Sequence, residues 1–92
     1  MAERRIRAIV RGVVQGVGFR HFTRERAKAL RLHGFVRNKA DGTVEIEVEG
    51  DTNALNDFLA WLQNGPRHAE VTEVEIEELL LRANEVSFEI LR

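Results

Sequence analysis

The 92-residue chain has no cysteine, no tyrosine, one tryptophan, one proline and two lysines. Without cysteine there is no disulfide scaffold, no thiolate metal site and no cysteine nucleophile. No linker, internal repeat or low-complexity stretch interrupts the chain. No apolar run approaches the ~18–20 residues that a membrane-spanning helix needs. The start, Met1-Ala2-Glu3-Arg4-Arg5, is charged, and Arg7 breaks the apolar stretch 6–10, so no secretory segment is read. A cytoplasmic chain forming a single domain over residues 1–92 is expected. Twelve arginines against two lysines are read as genome composition and carry no functional reading.

What the chain does have is an uneven distribution of charge. The formal net charge is only −1, yet residues 1–39 hold eleven basic residues against two acids, Glu3 and Glu25, and residues 40–92 hold three basic residues against thirteen acids. An asymmetry of that size asks for a cause. Either the two halves pair with each other, or the basic half meets an anion.

Ile6, Ala8 and Val10 alternate with Arg5, Arg7 and Arg11, the period of a half-buried strand that ends at Gly12. A loop over 13–20 carries Gly16 and Gly18. Residues 20–31 contain no glycine or proline. Phe22, Ala27 and Leu30 mark the apolar stripe of a helix there, and Gly34 is its expected stop. Residues 35–38 form a short strand, and Ala40-Asp41-Gly42 is a turn signal. In 43–49, Val44, Ile46 and Val48 are expected to face inward, and Glu45, Glu47 and Glu49 to face water. Gly50-Asp51-Thr52 offers a cap to a helix over about 52–64, where Leu55, Phe58, Leu59 and Leu62 share a face, Trp61 flanks it and Gly65-Pro66 stops it. Residues 71–77, with Thr72, Val74 and Ile76 on one face, and then Val86, Phe88 and Ile90 read as two more strands. This order specifies an α+β fold: a two-layer ferredoxin-like sandwich (βαββαβ, with an additional C-terminal strand), its two helices packed on one face of a mostly antiparallel sheet.

The loop is where chemistry concentrates. A strand, a glycine-rich loop and a helix start make an arrangement that binds phosphate. Successive amides in a compact turn form an anion nest, and the helix N-terminus adds partial positive charge. Arg20 at the helix start can grip two phosphate oxygens. The same residues would also serve a plain tight turn with a surface arginine, and the glycines alone do not choose. The loop lacks the Gly-Lys-Ser/Thr ending of a Mg-nucleotide loop. Between Gly12 and Arg20 it has no Cys, Ser, Thr or Asp to form a phosphoenzyme, and no carboxylate to hold a metal or protonate a leaving group. If such a loop turns over a phosphate, water attacks directly and the leaving group departs unaided. Loose phosphoryl-transfer transition states put charge on the leaving oxygen. A carboxylate, with a pKa of about 4, tolerates that charge and an alcohol does not. The chemistry, conditional on phosphate binding, is that of an acyl phosphate. Asn38, in an otherwise apolar and basic segment, both donates and accepts and so suits a water held in line; taken alone, it more readily suits the opening of the turn at 39–42.

Gly12-Val13-Val14-Gln15-Gly16-Val17-Gly18-Phe19-Arg20 resembles the first signature of the acylphosphatases. Gly34-Phe35-Val36-Arg37-Asn38, followed by Gly42-Thr43-Val44 and Gly50, resembles the second. The likeness continues through Trp61-Leu62 to Phe88-Glu89-Ile90, so it covers nearly the whole chain. Two signatures in order and at spacing are specific where a lone glycine loop is not. The resemblance implies a ferredoxin-like fold and hydrolysis of acyl phosphates to a carboxylate and inorganic phosphate, with no metal and no cofactor. It implies Arg20 as the phosphate-binding catalytic arginine and Asn38 as the residue that orients water. The backbone amides of Gln15, Gly16, Val17, Gly18, Phe19 and Arg20 would form the cradle. Gly18 stands at a variable position of the family and is expected to loosen the loop. A monomer is expected.

Other residues carry weaker signals. His21 is expected to point away from the loop. His33 and His68 have no partner at metal-ligand spacing. The runs Glu45, Glu47, Glu49 and Glu73, Glu75, Glu77 read as solvated strand faces. Arg37 and Lys39 flank Asn38 and serve either steering of an anion or solubility. Sandwiches of this type also bind RNA, but RNA readers stack bases on exposed sheet aromatics; with no tyrosine and two glutamate-rich strands, neither a nucleic acid nor a membrane is expected as partner. A third reading, the acylphosphatase-like portion of longer carbamoyl-transfer proteins, adds carbamoyl phosphate as a possible substrate; the chain is expected to be free-standing.

Overall fold

A computed structural model describes residues 2–92. The elements run β1 (Glu3–Val13), α1 (Phe19–Ala29), β2 (His33–Asn38), β3 (Val44–Asp51), α2 (Thr52–Asn64), β4 (Glu70–Leu79) and β5 (Phe88–Leu91). The sheet order is β4-β1-β3-β2-β5. β1 lies antiparallel to both β3 and β4, β2 is antiparallel to β3, and β5 joins the edge parallel to β2. This is the expected ferredoxin-like sandwich with its extra strand. Among the described residues no helix is long and apolar enough to cross a membrane.

Strand alternation builds one side of the core and helical spacing the other. Ile6, Ala8 and Val10, Val44, Ile46 and Val48, and Val36 are fully buried against Phe19, Ala27, Leu55, Phe58 and Leu62. The Asp51 carboxylate caps α2 by accepting from the amides of Asn53 (3.1 Å) and Ala54 (3.3 Å), as the local sequence foretells.

Three expectations need correction. The first concerns α1. Its buried face is Phe19, Thr23 and Ala27, and Phe22 is 44% exposed. Gly34 does not stop the helix. The chain reverses at Arg31, which takes a left-handed φ of 58°. The Leu32 amide donates to the Ala27 carbonyl (2.8 Å) and the Arg31 amide to that of Lys28 (3.0 Å), the paired bonds of a Schellman motif. Gly34 lies inside β2 at φ 141°, where a Cβ would stand 1.9 Å from the Glu47 carbonyl oxygen. Its glycine is demanded by the neighbouring strand.

The second concerns the two C-terminal strands. Arg11 faces Glu73 but Gly12 faces Val71, so Thr72 is an extra residue in β4. The bulge turns Val71 inward with Val74 and sends Thr72 out; Ile76 keeps the face of Val74, opposite Ala8, but on the edge strand it is 46% exposed. Val86 lies outside β5 and is 89% exposed.

The third concerns the glutamates of β3. Glu45 and Glu49 are buried rather than solvated. On the sheet face away from the helices, the fully buried Arg5 guanidinium donates to Glu47 (2.8 Å), Glu49 (3.2 Å) and Glu85 (2.6 Å). Glu49 also accepts from the amides of Arg82 (2.8 Å) and Ala83 (3.0 Å). Glu45 sits between Arg7 and Arg37. Arg4 pairs with Glu78, and Arg11 with Glu73 and Glu75. The arginines of β1 therefore meet the glutamates of its two neighbours, which accounts for much of the charge asymmetry.

Candidate active site

β1 ends at Val13, and residues 14–18 carry the chain into α1. Gly16 (φ 76°) and Gly18 (φ 79°) are both left-handed, the conformation that glycine adopts without steric cost. Gly18 is the N-cap of α1. No side chain caps this helix, and its first internal bond runs from the Phe22 amide to the Gly18 carbonyl (3.1 Å). First-turn amides have no partner inside a helix. Among the described residues no acceptor is found for the amides of residues 15–18 either. The result is a run of free N–H donors at a helix N-terminus, an anion-binding arrangement.

The loop is held by a side chain whose role the sequence does not reveal. Gln15 Nε2 donates to the carbonyls of Lys39 (2.8 Å) and Thr43 (2.9 Å). These flank the turn that follows β2, whose Asp41 carboxylate accepts from the Thr43 hydroxyl (2.6 Å) and amide (3.0 Å). Those two bonds, the hydroxyl first, lower the Asp41 pKa. β2 alternates, so Asn38 shares the helix-side face of Val36. Val36 is buried in the core, whereas Asn38 lies at the core's edge beside the loop. Its Oδ1 is buried with no hydrogen-bond partner. An unsatisfied buried oxygen costs about 1–3 kcal/mol, and such a group calls for an explanation.

A cavity of about 190 Å³ joins these parts, lined by Gly16, Gly18, Arg20, His21, Asn38 and Ile90 among others. Arg20 is the second residue of α1, half-buried, and its Nη1 lies 3.5 Å from the Leu91 carbonyl oxygen of β5. Two larger hollows, of about 490 and 510 Å³, contain neither the loop nor Asn38, so size does not identify this site. No residue lining the small cavity carries a carboxylate or a hydroxyl.

Gly16, Gly18, Phe19, Arg20 and Asn38 thus meet at one cavity, Gln15 supports it from behind, and Val17 packs against the core. His21 faces the cavity instead of pointing away, because the helix starts at Phe19 and its third residue still stands at the mouth. Arg37 is engaged with Glu45. His33 and His68 lie elsewhere. The Gln15 side chain and the Leu91 carbonyl are site components that no local motif announces.

A ferredoxin-like sandwich whose strand–loop–helix turn presents unpaired amides and an arginine beside an unpaired asparagine belongs to a class built to receive a small anion. Comparison with known proteins narrows that class. The acylphosphatase family model matches residues 6–90. The acylphosphatase of Pseudomonas aeruginosa is 50% identical over 82 residues, 89% of this chain and 90% of its own. That of Burkholderia cenocepacia is 54% identical over 80 residues, 87% of this chain and 79% of its own. The crystal structure of the acylphosphatase from Bacillus subtilis matches with a TM-score of 0.92 at 39% identity, over 97% of this chain and 99% of that one. The chain belongs to the acylphosphatase family, and it is an enzyme of that kind, a phosphohydrolase of acyl phosphates.

Proposed function

We propose that the amides of residues 15–20 and the Arg20 guanidinium hold the phosphoryl group, and that Asn38 holds the attacking water. The water oxygen forms the new bond to phosphorus, the bond between phosphorus and the acyl oxygen breaks, and the carboxylate leaves with the electron pair. The products are a carboxylate and inorganic phosphate. Charge that develops on the phosphoryl oxygens meets donors already in place, and preorganised donors of this kind are the largest single contribution to many enzymes' rates. The carboxylate needs no general acid, and the lining residues offer no carboxylate for a metal. The reading therefore includes metal-independent turnover without a cofactor. The observation that carries it is the buried, unpartnered Oδ1 of Asn38 in the same cavity as Arg20.

The cavity meets the phosphoryl group and little of the acyl group, so acyl phosphates as a class are the proposed substrates, with carbamoyl phosphate among them. We infer a cytoplasmic monomer in which residues 1–92 act as one domain. The open sheet face carries paired arginines and glutamates rather than stacking aromatics, which argues against an RNA partner. The test is benzoyl phosphate hydrolysis in excess EDTA. The wild type should be unaffected by EDTA, and Arg20→Ala should lose about 10²–10³ in rate. EDTA-sensitive wild-type activity, or undiminished Arg20→Ala activity, would overturn the proposal.

A further inference from the structure

Beyond the catalytic cavity, the cationic face of α1 continues. Arg20, Arg24 and Lys28 follow at i, i+4 and i+8, the spacing that stacks side chains on one face of a helix. Arg20 reaches the small cavity. Arg24 and Lys28, with Arg31 just past the helix end and His33 at the start of β2, line a separate groove of about 490 Å³ against the segment that enters β5. At 1.5 Å per residue, Lys28 lies about 12 Å along the helix from Arg20. A small acyl phosphate in the cradle leaves the groove empty.

These cations differ from those of β1, every one of which is paired with a glutamate. Among the described residues Lys28 and Arg31 have no acidic partner. Arg24 only approaches its chain neighbour Glu25, at 3.7 Å, and its Nε is buried without an acceptor. The one acid on the groove wall, Glu89, is hydrogen-bonded by the Ser87 hydroxyl (2.6 Å). Complementing the helix dipole accounts for Lys28 in the last turn and Arg31 just past the C-cap, but not for Arg24. The groove also has an apolar side, where Phe88 is buried and Val86 stands open to solvent. Its volume lies in the range of small-ligand pockets, about 300–1,000 Å³.

We propose that this groove is a second anion site, for a small phosphate monoester with an apolar body. Three full cations against one carboxylate leave two charges that match a dianionic head, and the guanidinium groups of Arg24 and Arg31 suit its oxygens in bidentate fashion. The body of the ligand rests on Val86.

The probe is 1-naphthyl phosphate, titrated into ¹⁵N-labelled wild type and Arg20→Ala, so that the amide map separates the groove from the cradle. Saturable amide shifts are expected at residues 24–33 and 86–89. Lys28→Glu should weaken binding about tenfold, and the milder Lys28→Ala and Arg31→Gly variants about threefold, while benzoyl phosphate turnover stays unchanged. 1-Naphthoate, with the same body and a single charge, should bind at least about fivefold more weakly. Shifts confined to residues 15–20 and 38, loss of binding in Arg20→Ala, or full affinity in all three groove variants would overturn the site. Equal affinity for 1-naphthoate would overturn its assignment to phosphate. Because turnover depends on Arg20 and this binding does not, the groove can fail without the catalytic reading failing, and the reverse.

Discussion

Asn38 at the end of β2 and Arg20 in the first turn of α1 face one small cavity from different layers of the sandwich. Among the described residues no hydrogen bond joins the two side chains. The Gln15 side chain, reaching the Lys39 and Thr43 carbonyls, holds the glycine loop against the turn that starts immediately after Asn38. The geometry of the site therefore depends on an amide that need not touch the substrate.

That dependence sets the first prediction. Gln15→Leu removes both donors and leaves two carbonyls to find water, a loss of about 1–2 kcal/mol in stability. The loop and Asn38 then lose their common support, so kcat should fall by more than the affinity for inorganic phosphate. Gln15→Glu, which sets a carboxylate against two carbonyl oxygens, should be worse at pH 7 than at pH 5. Urea midpoints and steady-state kinetics of the two variants check this. Wild-type kcat in both would refute a positioning role.

The buried glutamates set the second. Burial opposes ionisation of Glu49, but the amides of Arg82 and Ala83 and the Arg5 guanidinium outweigh it and lower its pKa. Glu45 is likewise penalised by burial and lowered by Arg7 and Arg37. Groups whose pKa is lower in the folded chain contribute stability above their unfolded pKa, about 4.3, and that stability is lost as pH falls through the folded value. Stability should be flat from about pH 7 to 5 and fall steeply below about 4. Glu49→Gln should be less stable at pH 7 and should show a shallower acid limb. Urea midpoints across pH 3–7 measure both; a wild type that gains stability below pH 4 contradicts the ion-pair assignment.

The third concerns the left-handed Arg31 at the end of α1. Glycine fits that conformation without the Cβ penalty. Arg31→Gly should stabilise the fold by about 0.5–1 kcal/mol, despite the greater freedom of glycine in the unfolded chain. Thermal unfolding reads this as a higher Tm, and a lower Tm would mean that the arginine side chain contributes more than the backbone strain costs.

These cases show which information is local. Alternation in β1 and β3 marks residues that share a face, and Ile6, Ala8, Val10, Val44, Ile46 and Val48 form the core as their period requires. Alternation does not say what covers the opposite face, so Glu45 and Glu49 look solvated until the β1 arginines and the segment around Arg82 to Glu85 are seen against them. Gly34 resembles a helix stop because the constraint upon it, the Glu47 carbonyl, belongs to another strand. In the site, the glycines, Arg20 and Asn38 are legible from chemistry and spacing. The Gln15 tie and the Leu91 carbonyl are tertiary contacts with no sequence period, and His21 depends on a helix start one residue earlier than the pattern suggests.

The central claim is that Asn38 acts on the water and Arg20 on the phosphate. The direct measurement is kcat for benzoyl phosphate beside the calorimetric Kd for inorganic phosphate, in the wild type and Asn38→Ala. The mechanism predicts a loss of about 10²-fold or more in kcat, with phosphate affinity retained within about threefold. Near-wild-type kcat in Asn38→Ala, or a loss explained entirely by weaker phosphate binding, would contradict it.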